Sequence, residues 1–215
     1  MKKKTEVVKT KRLTIMPRTK AEMRMLIENE RDPHLKSAYQ EMLVGMNTSP
    51  ETINMYTNWK ITLKDSGKII GGVGFKGGPN ENHEVEIGIG IDPKYQNQKY
   101  GTEALQAMMQ WVLQVSDVFF IQAITEEDNE YAVKMIEDST FTKVKNVEEG
   151  VLYEVEKPKA PWKYVYMLFG LAIGTAVASA IKISITLPAL GGIVVGFLIG
   201  LALDKLDSSN RVRKG

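Results

Sequence analysis

Apolar and polar positions alternate from Arg12 to Met16, where Arg-Leu-Thr-Ile-Met predicts a short strand. Thr19 and Glu22 then stand at capping-box spacing around the start of Lys20-Ala-Glu-Met-Arg-Met-Leu-Ile, which predicts a helix. A second helix is predicted from Pro33 to Met46. A third starts near Ser49-Pro50-Glu51, with Ser as cap and Pro in the first turn. From Trp59 the period shortens: Trp59-Lys-Ile-Thr-Leu-Lys alternates, Asp65-Ser-Gly turns, and Lys68-Ile-Ile-Gly-Gly-Val-Gly-Phe returns as the hairpin partner. After a loop at Gly77-Gly-Pro-Asn-Glu-Asn, a further strand places Val85, Ile87, Ile89 and Ile91 on one face. Glu86, Gly88 and Gly90 fall on the other. A loop from Asp92 enters a helix predicted from Gly101 to Val115. Val118-Phe-Phe-Ile-Gln-Ala-Ile-Thr predicts a buried strand, and Asp128 or Asn129 caps a helix through Ile136. Phe141-Thr-Lys-Val and Val151-Leu-Tyr-Glu-Val predict closing strands.

This order is a mixed α/β arrangement, antiparallel for the most part, in which one strand-helix-strand unit forces a parallel pair. Lys157-Pro-Lys-Ala-Pro reads as a stiff linker. Beyond it, two stretches of roughly twenty apolar residues, 164–181 and 183–203, are each long enough to span a bilayer. So little polarity over two consecutive stretches argues against buried helices of a soluble domain. The few residues between them make the pair an antiparallel hairpin. Trp162, Tyr164 and Tyr166 sit at one edge, where amphipathic rings prefer the interface. Gly170 and Gly174, and Gly192, Gly196 and Gly200, recur at the four-residue spacing that lets helices approach closely, which admits a homodimer. The expected domains are therefore 1–156, a linker 157–163, a transmembrane hairpin 164–205 and a basic tail 206–215.

Composition sharpens this division. The 215-residue chain carries a formal net charge of +2, too small to suggest a nucleic-acid partner. Between Tyr164 and Leu203 the one charged residue is Lys182. Lys157, Lys159 and Lys163 precede the hairpin, and Lys205, Arg211, Arg213 and Lys214 follow it, so the positive-inside rule places both ends in the cytoplasm at the inner membrane. Lys2 to Lys4 form a second basic cluster, and no apolar segment follows that reads as a secretory signal. The chain has no cysteine, which excludes disulfides, thiolate metal sites and cysteine nucleophiles. No metal site is expected.

The informative point lies between Ile91 and Thr102. A strand ends, a loop follows, and a helix opens with its first backbone N–H groups unpaired, a terminus that favours phosphate. Ile91-Asp-Pro-Lys-Tyr-Gln-Asn-Gln-Lys-Tyr-Gly-Thr-Glu-Ala resembles the acetyl-CoA motif of GNAT acetyltransferases, Gln/Arg-x-x-Gly-x-Gly/Ala. Thr10-Lys-Arg-Leu-Thr-Ile-Met-Pro resembles the first strand of the branch that acetylates ribosomal-protein N-termini. Val85-Glu-Ile-Gly-Ile resembles the strand before the pyrophosphate loop, and Asp128-Asn129 with Ala132, Glu137 and Phe141 the closing helix. The resemblance covers roughly Thr10 to Val155 and implies the GNAT fold. It implies that backbone N–H groups of Gln96, Asn97, Gln98, Lys99, Tyr100, Gly101 and Thr102 cradle the CoA pyrophosphate. It implies that exposed backbone at Ile89, Gly90 and Ile91 pairs with pantetheine and polarises the thioester carbonyl, and that Asn129 hydrogen-bonds the pantetheine portion. Lys99 departs from the family, standing where its first glycine usually lies.

Acetyl transfer to an amine asks for positioning and a base of modest strength. Glu86, on the face opposite the apolar one, is the candidate base; its plain alternative is a strand carboxylate paired to a lysine. His83 is a second candidate, since imidazole is the side chain suited to proton transfer near neutral pH, but it belongs to a loop. Ile136 stands about where the family has a tyrosine acid, and Tyr131 is out of register. Trp111, Phe119, Phe120, Met108, Met109 and Val112 read as core. Two functional classes follow: a membrane-anchored N-acetyltransferase acting on a protein N-terminus, a lysine or a small amine, or an inactive acyl-CoA-binding or interaction module.

Overall fold

The computed structural model describes residues 6–115 and 117–211. Lys2 to Lys4, Arg213 and Lys214 lie outside the described residues. The chain divides into two compact units, Met1–Lys157 and Pro158–Gly215.

The first unit is built on an eight-stranded sheet: β1 (Val8–Lys9), β2 (Leu13–Pro17), β3 (Asn58–Leu63), β4 (Ile69–Phe75), β5 (Glu84–Ile91), β6 (Phe120–Thr125), β7 (Thr142–Val147) and β8 (Gly150–Glu156). The spatial order is β1-β2-β3-β4-β5-β6-β8-β7. β5 and β6 are parallel, joined through helix α3 (Tyr100–Val112), and the other neighbours are antiparallel. Between β2 and β3 lie α1 (Lys20–Asn29) and α2 (Pro33–Thr48), and α4 (Glu130–Glu137) follows β6.

Local chemistry explains the helix starts. The Thr19 hydroxyl accepts from Glu22 N at 3.2 Å, and Glu22 Oε2 accepts from Thr19 N at 2.8 Å, so two otherwise orphaned donors at the start of α1 are satisfied reciprocally. Asp32 caps α2 by accepting from His34 N and Leu35 N, with Pro33 in the first turn. The third helix expected near Ser49 is a 3-10 helix, Pro50–Met55, kinked at Thr52, and the Ser49 side chain makes no cap. Ala104, Leu105, Met108, Met109 and Val112 line one buried stripe of α3, which packs on β2, β4 and β5. Trp59, Phe75 and Trp111 meet at the centre, with Trp111 edge-on to Trp59 at 4.9 Å and stacked on Phe75 at 5.7 Å between ring centroids.

The sheet is continuous only in part. β5 pairs with β6 at Glu84↔Phe120, Val85↔Ile121 and Glu86↔Gln122, and no further. From Ile87 to Ile91, β5 keeps β4 as its partner, while β6 from Ala123 to Thr125 keeps β8. The two strands part and leave facing edges open.

The second unit is the antiparallel pair α5 (Trp162–Ala180) and α6 (Thr186–Asn210). At 1.5 Å per residue each is long enough to cross the ~30 Å hydrocarbon layer. Among the described residues these two helices have the length and apolarity to do so. The expected bounds shift because Lys182, at φ 55°, begins the turn and Pro188 falls within the first turn of α6. Trp162 N at the start of α5 donates to Asp204 Oδ1 near the end of α6 at 3.1 Å. The glycine spacing serves the hairpin itself: a Cβ on Gly192 would stand 2.0 Å from Gly170 O, and one on Gly196 would stand 1.9 Å from Tyr166 O. The glycines that suggested a second copy are thus occupied by the neighbouring helix of the same chain.

Candidate active site

The turn after β5 is held from within. Asp92 Oδ1 accepts from Lys94 N, Tyr95 N donates to Asp92 O, and Gln96 N donates to Pro93 O. The Gln96 side chain reaches back to Ile91 O at 3.0 Å. Gln96 therefore spends its amide on the turn. Asn97 and Lys99 then adopt left-handed φ values of 59° and 61°, and α3 opens at Tyr100, one residue before the predicted start. A left-handed Lys99 followed by the right-handed Tyr100 turns their successive N–H groups toward one side. Among the described residues, none of the six amides from Asn97 to Thr102 has an acceptor in the protein. Six unpaired donors at the positive end of a thirteen-residue helix form a site suited to phosphate oxygens.

Lys99 thus follows the backbone path that a glycine adopts freely, as a residue with a Cβ. Asn97, Lys99, Thr102, Tyr131, Lys134 and Asp138 line a small hollow beside the loop, so two basic residues and one acidic residue border it. The loop is also buttressed from β2. Arg12 Nε pairs with Glu103 Oε2 at 2.7 Å, its Nη1 donates to Gln98 O at 3.0 Å, and its guanidinium stacks 4.2 Å from the Tyr100 ring centre. Thr10 Oγ1 and Arg12 N donate to Glu103 Oε1. Although burial pushes the Glu103 carboxyl up, these bonds and the Arg12 charge hold it below the usual carboxylate value.

Next to the loop, the parted strands open into a cleft of about 860 Å³. Its floor is paved by glycine, where the cross-strand pairs Gly72↔Gly90 and Gly74↔Gly88 sit side by side. A Cβ at Gly88 or Gly90 would meet no atom within 4 Å, so a side chain there would occupy the cleft and not the core. One wall carries Ala123 to Thr125, Asn129, Ala132 and Ile136; the other carries Arg18, Leu26, Glu30, Tyr39 and Met42. An extended chain carrying amides fits between the strand edges, and a diphosphate fits the amides of the loop; together these are the demands of acetyl-CoA. No group of three or more potential metal ligands occurs among the described residues.

Ile89, Gly90 and Ile91 lie on the open edge of β5, with Ile89 and Gly90 lining the cleft. Asn129 caps α4, its Oδ1 accepting from Ala132 N at 3.1 Å, and the residue lines the cleft. Glu86 sits on the glycine face, and its carboxylate pairs with Lys76 at 2.6 Å. Burial lowers the Lys76 pKa, but the Glu86 hydrogen bond and the charges of Glu86, Glu149 and Glu41 outweigh it, so the ammonium is held above its usual value. Lys76 borders the cleft; Glu86 is not among the lining residues. His83 lies at the other end of β5, bound to Asp117 at 2.7 Å with its ring against Phe119, away from the cleft. Tyr131 faces the start of α3: a Cβ on Gly101 would stand 2.7 Å from its hydroxyl. Burial pushes its phenol up. Sequence reasoning missed Arg18, Lys134 and the Arg12–Glu103 brace, because none stands in a motif. The pairing of a basic residue on the first strand with an acid on the first turn of α3 was the only trace of the brace.

A family model described as "Acetyltransferase (GNAT) domain" matches residues 6–142, and the chain belongs to this family. Among curated proteins it is 34% identical over 103 residues to the uncharacterized N-acetyltransferase YjdG of Bacillus subtilis, an overlap covering 48% of this chain and 59% of that one. The chain thus spans about three fifths of the length of the curated relatives it matches. Among solved structures, the ribosomal-protein-S5-alanine acetyltransferase of Vibrio fischeri superposes with a TM-score of 0.57 at 14% identity, over 71% of this chain and all (100%) of that one. RimL, a ribosomal L7/L12 α-N-protein acetyltransferase solved in complex with coenzyme A, gives 0.55 at 14% identity over 70% of this chain and 98% of its own. These likenesses establish the GNAT fold.

Proposed function

We propose that the protein is an acetyl-CoA-dependent N-acetyltransferase acting on a primary amine, anchored in the cytoplasmic membrane with both ends of its hairpin on the cytoplasmic side. The observation that carries this is the run of six unpaired amides from Asn97 to Thr102, set beside strands that part after Glu86↔Gln122. The amides hold the pyrophosphate, with the ammonium groups of Lys99 and Lys134 adding charge. The open edge of β5 at Ile89 to Ile91 and the Asn129 amide hydrogen-bond the pantetheine arm. A backbone N–H of that edge polarises the thioester carbonyl. The neutral amine attacks the carbonyl carbon, the C–S bond breaks, and CoA leaves as the thiolate. The amine proton passes through solvent to Glu86, whose partner Lys76 borders the cleft. The relatives' names support acetyl transfer, and that of RimL, an α-N-protein acetyltransferase, supports a protein α-amine as acceptor. The charge distribution, with Lys157, Lys159, Lys163 and Lys205 at the open end and Lys182 alone at the turn, supports the orientation.

The test is turnover by the full chain in lipid nanodiscs, with acetyl-CoA and a panel of amines. Released CoA is read with a thiol dye, and a chain without cysteine contributes no background. Amine-dependent thiol release supports the reading, and Glu86→Gln then lowers kcat with little change in acetyl-CoA affinity. The Glu86–Lys76 ion pair favours a second reading, an acyl-CoA-binding module without turnover. The Glu86 carboxylate is engaged by the Lys76 ammonium at 2.6 Å and does not line the cleft. Binding of acetyl-CoA with no thiol release from any amine supports that second reading.

A further inference from the structure

Arg18 stands at the end of β2 on the wall of the cleft opposite Asn129. Its position is fixed from three directions. Its backbone N–H donates to Asn58 O at 3.1 Å, its carbonyl accepts from Thr57 Oγ1 at 3.0 Å, and its Nε donates to Asn58 Oδ1 at 3.2 Å. Thr57 and Asn58 are both buried. Gly72 makes room for the Asn58 carboxamide, since a Cβ there would stand 2.5 Å from Asn58 Oδ1. The guanidinium is therefore held still by its inner nitrogen, while Nη1 and Nη2 have no partner among the described residues.

That arrangement is unusual for a half-buried cation. Nearby Glu22 is already engaged by Lys60 and by Thr19. Burial pulls the Arg18 pKa down, against the opposing charges of Glu22 and Tyr39. Glu22 and, on the same wall of the cleft, Glu30 lie nearby, but neither makes a hydrogen bond to the fork, so a planar pair of donors fixed in place stays open to a carboxylate in bidentate geometry. Around it, Leu26, Leu35, Tyr39 and Met42 offer apolar surface of the kind that side chains of a peptide cover.

Resting on the acetyltransferase reading above, we propose that the acceptor is a peptide α-amine with an acidic residue close to its N-terminus, and that Arg18 selects it by binding that carboxylate. The glycine floor brings the amine to the thioester, and the Arg18 fork sets the register of the peptide behind it. Asn58 is a positioning residue that orients the fork.

The test measures binding, so that it does not depend on turnover. Full chain in detergent micelles, with and without saturating CoA, is titrated calorimetrically with two tetrapeptides that differ only in Glu or Gln at the second position. The acidic peptide binds about tenfold more tightly, the scale of one charge-assisted pair. In Arg18→Gln the preference falls to within about twofold, and Arg18→Lys, which keeps the charge but loses the fork, gives an intermediate ratio. Equal affinities, no binding of either peptide, or a preference that survives in Arg18→Gln would overturn the proposal. CoA affinity in the same preparation reports separately on the acetyl-CoA reading: its absence overturns that reading, while the CoA-free titrations still decide the role of Arg18.

Discussion

Lys99 offers a direct measure of how the phosphate loop is built. Its backbone is left-handed, at φ 61° and ψ 15°, where a Cβ is crowded by the following carbonyl at a cost of about 1–2 kcal/mol. Lys99→Ala and Lys99→Gly both remove the ammonium, but Ala keeps the crowding and Gly releases it. Glycine's greater freedom in the unfolded chain offsets roughly 0.5–1 kcal/mol of that gain. The Gly variant should therefore be about 0.5–1 kcal/mol more stable than the Ala variant, or roughly 1–4 °C in Tm for a unit of this size. Thermal and urea unfolding of a fragment ending at Lys157, which has its own core, gives the comparison. The two variants should lose acetyl-CoA affinity alike, since the lost charge is common to both and weakens with salt. A Gly variant no more stable than the Ala variant would refute a left-handed residue 99, and with it the convergent amides.

Gly90→Val places its side chain in the open cleft, so unfolding should shift by no more than about 0.5 kcal/mol while acetyl-CoA affinity falls at least tenfold; calorimetry beside a urea titration checks both. The Glu22 carboxyl is held down to about 2, chiefly by its hydrogen bond from Lys60 and then by Thr19 N. Because the folded value lies below the unfolded one, this stabilisation is present above the ordinary carboxylate range and is lost as pH falls toward about 2. Lys60→Gln should flatten that part of the stability–pH curve, lowering stability near neutrality and leaving it little changed near pH 2. Gly192→Ile forces a side chain against Gly170 O, so spin labels at Lys163 and Lys205 in nanodiscs should move apart by several ångströms, the scale set by the added side chain. An unchanged distance distribution would contradict the close-packed hairpin.

The sheet and its helices were largely legible because alternation and caps are local signals. Val85 to Ile91 faced as their period required, and the Thr19–Glu22 box formed from a four-residue pattern. Helix ends were less so: α3 starts at Tyr100 because Lys99 takes a left-handed turn, which a lysine does not announce. The third helix tightened to 3-10 because Ser49 does not cap it. At the site, the loop amides could be read from a strand-loop-helix order, but Arg18 could not. Its partners Asn58 and Thr57 are about forty positions away in the chain, and the Gly72 beside them looks like any strand glycine until β3 and β4 are paired. Glycine spacing in the hairpin was visible, yet only the packed structure shows that α5 and α6 use it on each other.

The most direct test of the central claim is calorimetric titration of the full chain in nanodiscs with acetyl-CoA, beside Gly90→Val and a Gly101→Trp variant that forces bulk into the start of α3. One-to-one binding is expected in the wild type, weakened at least tenfold in both variants and competed by CoA. A folded wild-type chain that takes up no acetyl-CoA, or variants that bind as well as it does, would contradict the assignment of the loop amides and parted strands to that ligand.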